Sequence, residues 1–310
     1  MYKMKKVGLG FVMTLVTATA FTQDKTAPLI FENTLLWKIS GKEITKPSYL
    51  FGTIHMLCKE DAILSDSLSY IIEQTDDVYF EVDMDNIFEM LGMMKQMKMR
   101  NDTTWADLLS EEDYEMVKEY FMEKRLLLPF STMETYKPFL AASMLIEGSS
   151  QCESSVAMEQ VIMTEAKIKK KKIKGLETMA SQLAIFDQIP YKLQADQLVD
   201  FINKEAEGGN SDSGDELAEL MAAWQSQDLQ KLEEITLKTD IGLSSFTDIL
   251  LFNRNQKWVE KLDELLPGRS MLVAVGAGHL PGKKGVINLL REAGYTVTPV
   301  QNKMLRTKEI

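Results

Sequence analysis

The chain of 310 residues contains two histidines, His55 and His279, and both occupy the same word. "GTIH" spans 52–55 and "GAGH" spans 276–279. Each word closes an apolar, strand-like run, and the active sites of α/β proteins gather at the carboxyl ends of strands. Glycine there permits positive φ or close backbone approach, so a tight turn can aim the histidine into a cleft. "DVYFEVD" (77–83) adds acids. At the strand period of two, Tyr79, Glu81 and Asp83 share one face and Val78, Phe80 and Val82 the other. A carboxylate inside an apolar strand is costly without a partner, so Glu81 calls for one. Asp83, at the strand end, reads more simply as one half of a salt bridge. "KIKGLET" is a short strand that delivers Glu177. Arg254 interrupts an apolar helical stripe made with Leu250 and Trp258 at i, i+4 and i+8. It either snorkels to water or turns inward onto a carboxylate such as Glu81 or Glu177.

Two histidines and a carboxylate are the ligand set of many hydrolytic zinc sites, in which the open position holds an acidified water. His55, Glu81 and His279 are the candidate ligands, and zinc, manganese or cobalt would accept them. A second carboxylate, Glu177, could serve as general base. Arg254 could hold a substrate carboxylate or stabilise an oxyanion. Without a metal, the same groups could run a His/Glu-activated ester hydrolysis. The plainer alternative is that both histidines pack or cap. No Gly-x-Ser-x-Gly elbow, phosphate loop or dinucleotide fingerprint competes.

These residues need elements to position them. "LLWKIS" and "PSYLFGTIH" read as a hairpin across "GKEITK". "LSDSLSYIIEQT" reads as a helix capped by Ser65 or Asp66, and "DVYFEVD" as the next strand. This strand–helix–strand unit implies a parallel pair. The middle of the chain is helical, and its methionine-dense "NIFEMLGMMKQMKM" reads as a plastic core or contact surface rather than a soft-metal site. The lysine run 169–172 ends a helix, where cations suit the dipole. "EAEGGNSDSGDE" reads as a polar loop, with its glycine and glutamate misplaced for calcium. Two helices follow it, the second being "FTDILLFNRNQKWVEKLDELLPG". A final strand–helix–strand closes the chain.

A net charge of −11 argues against a nucleic-acid surface. The basic "MYKMKK", the short apolar run after it and "ATA" at 18–20 read as a secretory signal peptide over residues 1–22, with the functional domain over 23–310. Its removal takes Lys3, Lys5 and Lys6 and carries the net charge from −11 to −14. No later run is long enough to span a bilayer. The expected location is therefore periplasmic or secreted. In that oxidising setting Cys58 and Cys152 are a disulfide candidate, bracing the loop of His55.

At "YLFGTIHML", "VYFEVD", "GLET", "RNQKW" and "VAVGAGHLPGKKGV" the sequence resembles the TraB/GumN family. The wider superfamily holds the PrgY pheromone-shutdown proteins, the Tiki metalloproteases, the erythromycin esterases and the haem-binding ChaN-like proteins. The resemblance implies an α/β fold of the erythromycin esterase/ChaN-like kind, with a mixed central sheet, flanking helices and a largely helical middle region. It implies site roles for His55, Glu81, His279, Glu177 and Arg254, and a divalent metal. The expectation is an exported metal-dependent hydrolase acting on a peptide or small ester. A metal-independent esterase and a non-catalytic haem or ligand binder are the alternatives.

Overall fold

The computed structural model of the protein describes residues 31–124, 128–148, 152, 154–206, 212–238 and 246–303. The export signal expected at 1–22 lies outside these residues.

The hairpin forms as the alternation demands. Strand β1 (Leu36–Ser40) pairs antiparallel with β2 (Ser48–Thr53), and Gly41 and Lys42 make the turn with positive φ of 86° and 45°. A two-residue ladder, β3 (Leu57–Cys58), follows, then α1 (Asp66–Gln74), whose N-cap Ser65 accepts the Leu68 N–H. Strand β4 (Asp77–Val82) is buried along its whole length, which suits a central strand covered on both faces.

The helical middle comprises α2 (Ile87–Gln96), α3 (Glu111–Lys124), α4 (Phe130–Met133) and α5 (Pro138–Gly148). Strand β5 (Ser155–Val156) then pairs with β3, and α6 (Met158–Ile168) leads into β6 (Lys172–Glu177). The lysine run does end a helix: Lys169 caps α6 and Lys170 turns with φ 55°. Helices α7 (Met179–Ile185) and α8 (Tyr191–Ala206) come next. Around Trp105, Val117, Phe121, Met133, Leu145 and Leu198 the middle helices close a hydrophobic core of their own.

The polar stretch at 205–216 is shorter as a loop than its composition suggests, because α8 runs to Ala206 and α9 (Asp212–Gln225) starts at Asp212. The single helix expected before the last long one is two. Gln227, at φ 57°, breaks the chain between α9 and α10 (Leu229–Lys238). A π-helical turn, Asp248–Phe252, feeds α11 (Asn253–Leu265). Strand β7 (Met271–Gly276), α12 (Val286–Glu292) and β8 (Thr296–Pro299) finish the fold.

The six-stranded sheet has the order β6-β4-β7-β2-β1-β8. Strands β6, β4, β7 and β2 are parallel neighbours, and β1 alone is reversed. The parallel pair expected of the first strand–helix–strand unit is corrected here: β2 and β4 run parallel but are not neighbours. Strand β7 lies between β2 and β4, and β8 pairs with β1 at the far edge. Burial gives the reason: Met271 through Val275 are all buried, so this run belongs in the middle of the sheet. The main core lines both faces of the sheet, with Trp37, Phe51, Phe80, Trp224 and Trp258 at most 1 % exposed. Among the described residues no helix is long and apolar enough to cross a membrane.

Candidate active site

Four adjacent parallel strands end on one edge, and each delivers one part of the site. Strand β6 ends at Glu177, level with Val82 just after Glu81 on β4. Strands β7 and β2 end level at Gly276 and Thr53, and run into the turns bearing His279 and His55. The two glycine words meet through close approach rather than positive φ. A Cβ on Gly52 would stand 2.8 Å from Leu280 and 3.1 Å from Ala277, both in the second word's loop. A Cβ on Gly276 would stand 3.2 Å from Glu81 Oε1, the oxygen that the Gly276 N–H reaches at 2.8 Å.

Arg254 turns inward and ties the strand ends together. Its Nε and Nη2 donate to Glu177 Oε1 at 2.9 and 2.6 Å, and Nη2 also donates to Glu81 Oε2 at 2.6 Å. Nη1 lies 3.2 Å from His279 Nε2 and donates to Leu250 O at 2.9 Å, closing onto the π-helical turn. The guanidinium also stacks 4.7 Å from the Trp258 ring, which lies 4.5 Å from the His279 ring. An arginine donates only, so His279 Nε2 accepts and the imidazole proton sits on Nδ1. Asn255 completes this assignment: its amide donates to Lys284 O at 2.8 Å, leaving Oδ1 to accept from His279 Nδ1 at 2.6 Å.

Charge follows burial and partners. Burial holds His279 neutral, pushed down to about 3 against the pull of Glu81. Burial alone would favour a neutral Glu81. The facing His279, the Arg254 guanidinium and the Gly276 N–H outweigh it and pull the carboxyl down to about 2. Glu177 moves the other way, because burial outweighs the attraction of Arg254. Glu81 Oε1 lies 3.8 Å from His279 Nε2, so an ionised carboxylate faces an unprotonated nitrogen.

His55 shares no hydrogen bond or ion pair with this cluster among the described residues, but its charge acts on Glu81 and His279 and it feels Arg254. Its side chain is 74 % exposed, and its Nδ1 meets Glu159 Oε1 at 2.9 Å. That hydrogen bond raises the imidazole to about 9. Asp83 makes no ion pair among the described residues. Its Oδ1 accepts the Asp85 N–H at 3.1 Å, an Asx turn at the strand end. Three further side chains join the site without a signal strong enough to read from sequence. Glu159 looks like any acid in a charged helix. Gln182, one turn into α7, donates to Glu81 Oε2 at 2.9 Å. Asn255 had the one usable hint, its place beside Arg254 in "RNQKW".

Cys58 and Cys152 form the expected disulfide, next to the β3–β5 ladder that carries the His55 loop.

A mixed sheet flanked by helices, with Glu81, Glu177, Arg254 and His279 gathered where its parallel strands end, makes this an α/β protein. A family model described as the TraB/PrgY/gumN family matches residues 35–299, and the chain belongs to that family. It is 21 % identical to the metalloprotease TIKI2 of Danio rerio over 89 % of this chain and 63 % of the relative. It is 22 % identical to the metalloprotease TIKI1 of Xenopus tropicalis over 86 % of this chain and 61 % of the relative. The chain thus spans less than two thirds of the length of these metalloproteases. It is 25 % identical to the uncharacterized protein YbaP of Escherichia coli (strain K12), over 80 % of this chain and 91 % of that protein. No solved structure gives a significant match.

Proposed function

We propose that the protein, exported after loss of residues 1–22, is a hydrolase of peptide-type amide bonds assisted by a divalent metal. The observation that carries the reading is the pairing of ionised Glu81 with the unprotonated Nε2 of buried His279, 3.8 Å apart at the edge of the sheet. The names of the metalloprotease relatives support it.

The donor chemistry fits a divalent cation on one condition: His279 Nε2 accepts the Arg254 Nη1 proton and would have to exchange it for the cation. Both histidines have Nδ1 taken by a side-chain oxygen, which is how ligating imidazoles are usually held. The arrangement is not closed, because among the described residues no three His, Cys, Asp or Glu side chains are gathered to hold an ion. His55, Glu81 and His279 are the residues that would hold zinc, manganese or cobalt. Bound there, the cation would supply a Lewis acid and a water of lowered pKa.

The protein's own groups supply the rest. Glu177 commits Oε1 to Arg254, so Oε2 is the oxygen that takes a proton from water and returns it to the leaving nitrogen. Its raised pKa suits that exchange. Arg254 holds both carboxylates in place and lends its positive charge to a developing oxyanion. A metal-free His/Glu hydrolase is the second reading. What favours it is that the guanidinium already provides the positive charge among Glu81, Glu177 and His279. In that case His279 Nε2 exchanges the Arg254 Nη1 hydrogen bond for water and takes its proton.

The test is metal content after dialysis against trace zinc, manganese and cobalt, together with hydrolysis of a peptide library and an ester panel with and without chelator. Stoichiometric metal, lost in His279→Ala and Glu81→Gln, with chelation abolishing cleavage, supports the first reading. Cleavage that ignores chelation transfers the case to the second. Neither metal nor cleavage refutes both and leaves ligand or haem binding, read by a Soret band on haem addition.

A further inference from the structure

Thr53 closes β2 and His55 sits two residues on, in the bend that follows it. Both reach one carboxylate oxygen. Glu159 Oε1 accepts from Thr53 Oγ1 at 2.5 Å and from His55 Nδ1 at 2.9 Å. Glu159 stands in the first turn of α6, where the helix dipole favours an anion. Its residue is 6 % exposed, and Oε2 is buried with no hydrogen-bond partner.

Such a half-satisfied buried carboxylate is a costly way to fasten a loop. The loop does not need it. The Met158 N–H donates to Ile54 O at 3.0 Å, the Lys59 N–H to Ser154 O at 3.1 Å, and the Cys58–Cys152 disulfide closes the same seam. The backbone seam therefore holds α6 against the His55 loop independently of the side chain. What Glu159 adds is a fixed acceptor for a single proton, the one on His55 Nδ1. An imidazole as exposed as His55 would otherwise choose freely between its two neutral forms and turn freely about its side chain.

We propose that Glu159 is the positioning residue of His55: it keeps the neutral ring in the Nδ1–H form and presents Nε2 as the working nitrogen. This rests on the hydrolase reading for what Nε2 does, though not for how the ring is held. His279 is set in the same form by a different group, the neutral amide of Asn255. The two histidines thus reach the same tautomer by two routes, one buried and uncharged, the other exposed and held by an anion.

Only two histidines are present, so ring-¹⁵N-labelled protein gives just two imidazole patterns in a long-range proton–nitrogen correlation spectrum. Recorded across an alkaline pH series up to the point where both rings are neutral, wild type is expected to show both in the Nδ1–H form. Glu159→Gln should shift the His55 ring toward a mixture of forms, leave the His279 pattern in place and leave the fold intact by circular dichroism. In the hydrolysis assay kcat should fall about 10- to 100-fold, with KM within about twofold. Glu159→Asp should restore the Nδ1–H form in part. A wild-type His55 ring in the Nε2–H form overturns the proposal without recourse to any variant. So does a Glu159→Gln protein whose His55 pattern is unchanged, whatever its kcat, because the carboxylate then acts through something other than the ring. If wild type cleaves nothing, the ring patterns still decide the role of Glu159, and only the hydrolase reading falls.

Discussion

Replacing Arg254 by methionine removes the charge and keeps most of the stem. The guanidinium is the shared cation for Glu81 and Glu177, and the side chains of all three are at most 15 % exposed. Its loss leaves two carboxylates in a recess that water reaches poorly. Breaking a buried ion pair by removing one partner costs about 3–5 kcal/mol, most of it the charge left behind. For a chain of this size that is a fall in Tm of about 5–8 °C. Arg254→Lys should lie between methionine and wild type, because one ammonium cannot reach Glu177, Glu81 and His279 together. The sign with pH follows from Glu177, whose carboxyl burial already pushes up. In Arg254→Met it rises further, so the proton that neutralises it is held at acid pH and lost as pH rises. The deficit should therefore be smaller at pH 5 than at pH 8, and Arg254→Met/Glu177→Gln should recover part of it at pH 8. The assay is urea and thermal unfolding of the four proteins at both pH values. If Arg254→Met unfolds within about 1 kcal/mol of wild type and shows no dependence on pH, the guanidinium is screened by water and the clamp reasoning is refuted.

Reducing the Cys58–Cys152 bridge, or replacing both cysteines by serine, should cost about 2–5 kcal/mol in urea unfolding, and thiol counting on denatured, unreduced protein should find none free. Asn255→Leu should free the Nδ1 of His279, leaving a buried donor unpaired at a cost of about 1–3 kcal/mol; an unchanged urea midpoint would argue that water replaces the amide. His279 stays neutral in the fold to about pH 3, while an unfolded histidine takes its proton near 6.5. Stability should therefore fall as pH drops from about 6.5 toward 3, and Glu81, held to about 2, adds to the loss below about 4.5. His55 works in the opposite direction: what it contributes is present below about 6.5 and lost as pH rises through about 9. His279→Gln should flatten the acid limb of a Tm–pH curve and leave the alkaline limb alone.

Local physics carried much of this fold into the sequence. The alternation of "DVYFEVD" aims Glu81 toward a partner, the four-residue spacing of Leu250, Arg254 and Trp258 turns the arginine inward, and the glycine words end strands. Each depends on neighbours within a few residues. The insertion of β7 between β2 and β4 depends on pairings across some two hundred positions, and no local pattern encodes those. Periodicity hides the break at Gln227 as well, because both flanking segments are good helix formers. Glu159 was invisible for a related reason. Its helix carries a second acid, Glu165, and only the packing of α6 against the His55 loop distinguishes Glu159 from a solvated glutamate.

The place of β7 also sets a schedule. Its neighbours β2 and β4 are made early, yet they have no strand to join them until Met271–Gly276 arrives. Until then the apolar faces at the middle of the sheet stay uncovered, and contacts of such long sequence separation form slowly. The nascent chain therefore spends most of its synthesis without a finished core, and such chains aggregate unless something shelters them. The export proposed above would meet this requirement, because a chain crosses an export channel unfolded. His279, arriving three residues after β7 ends, is the last of the five site residues to be made. No fragment released before that point carries the complete set of candidate residues, so under the proposed hydrolase reading the order of the strands would withhold activity until the sheet is whole.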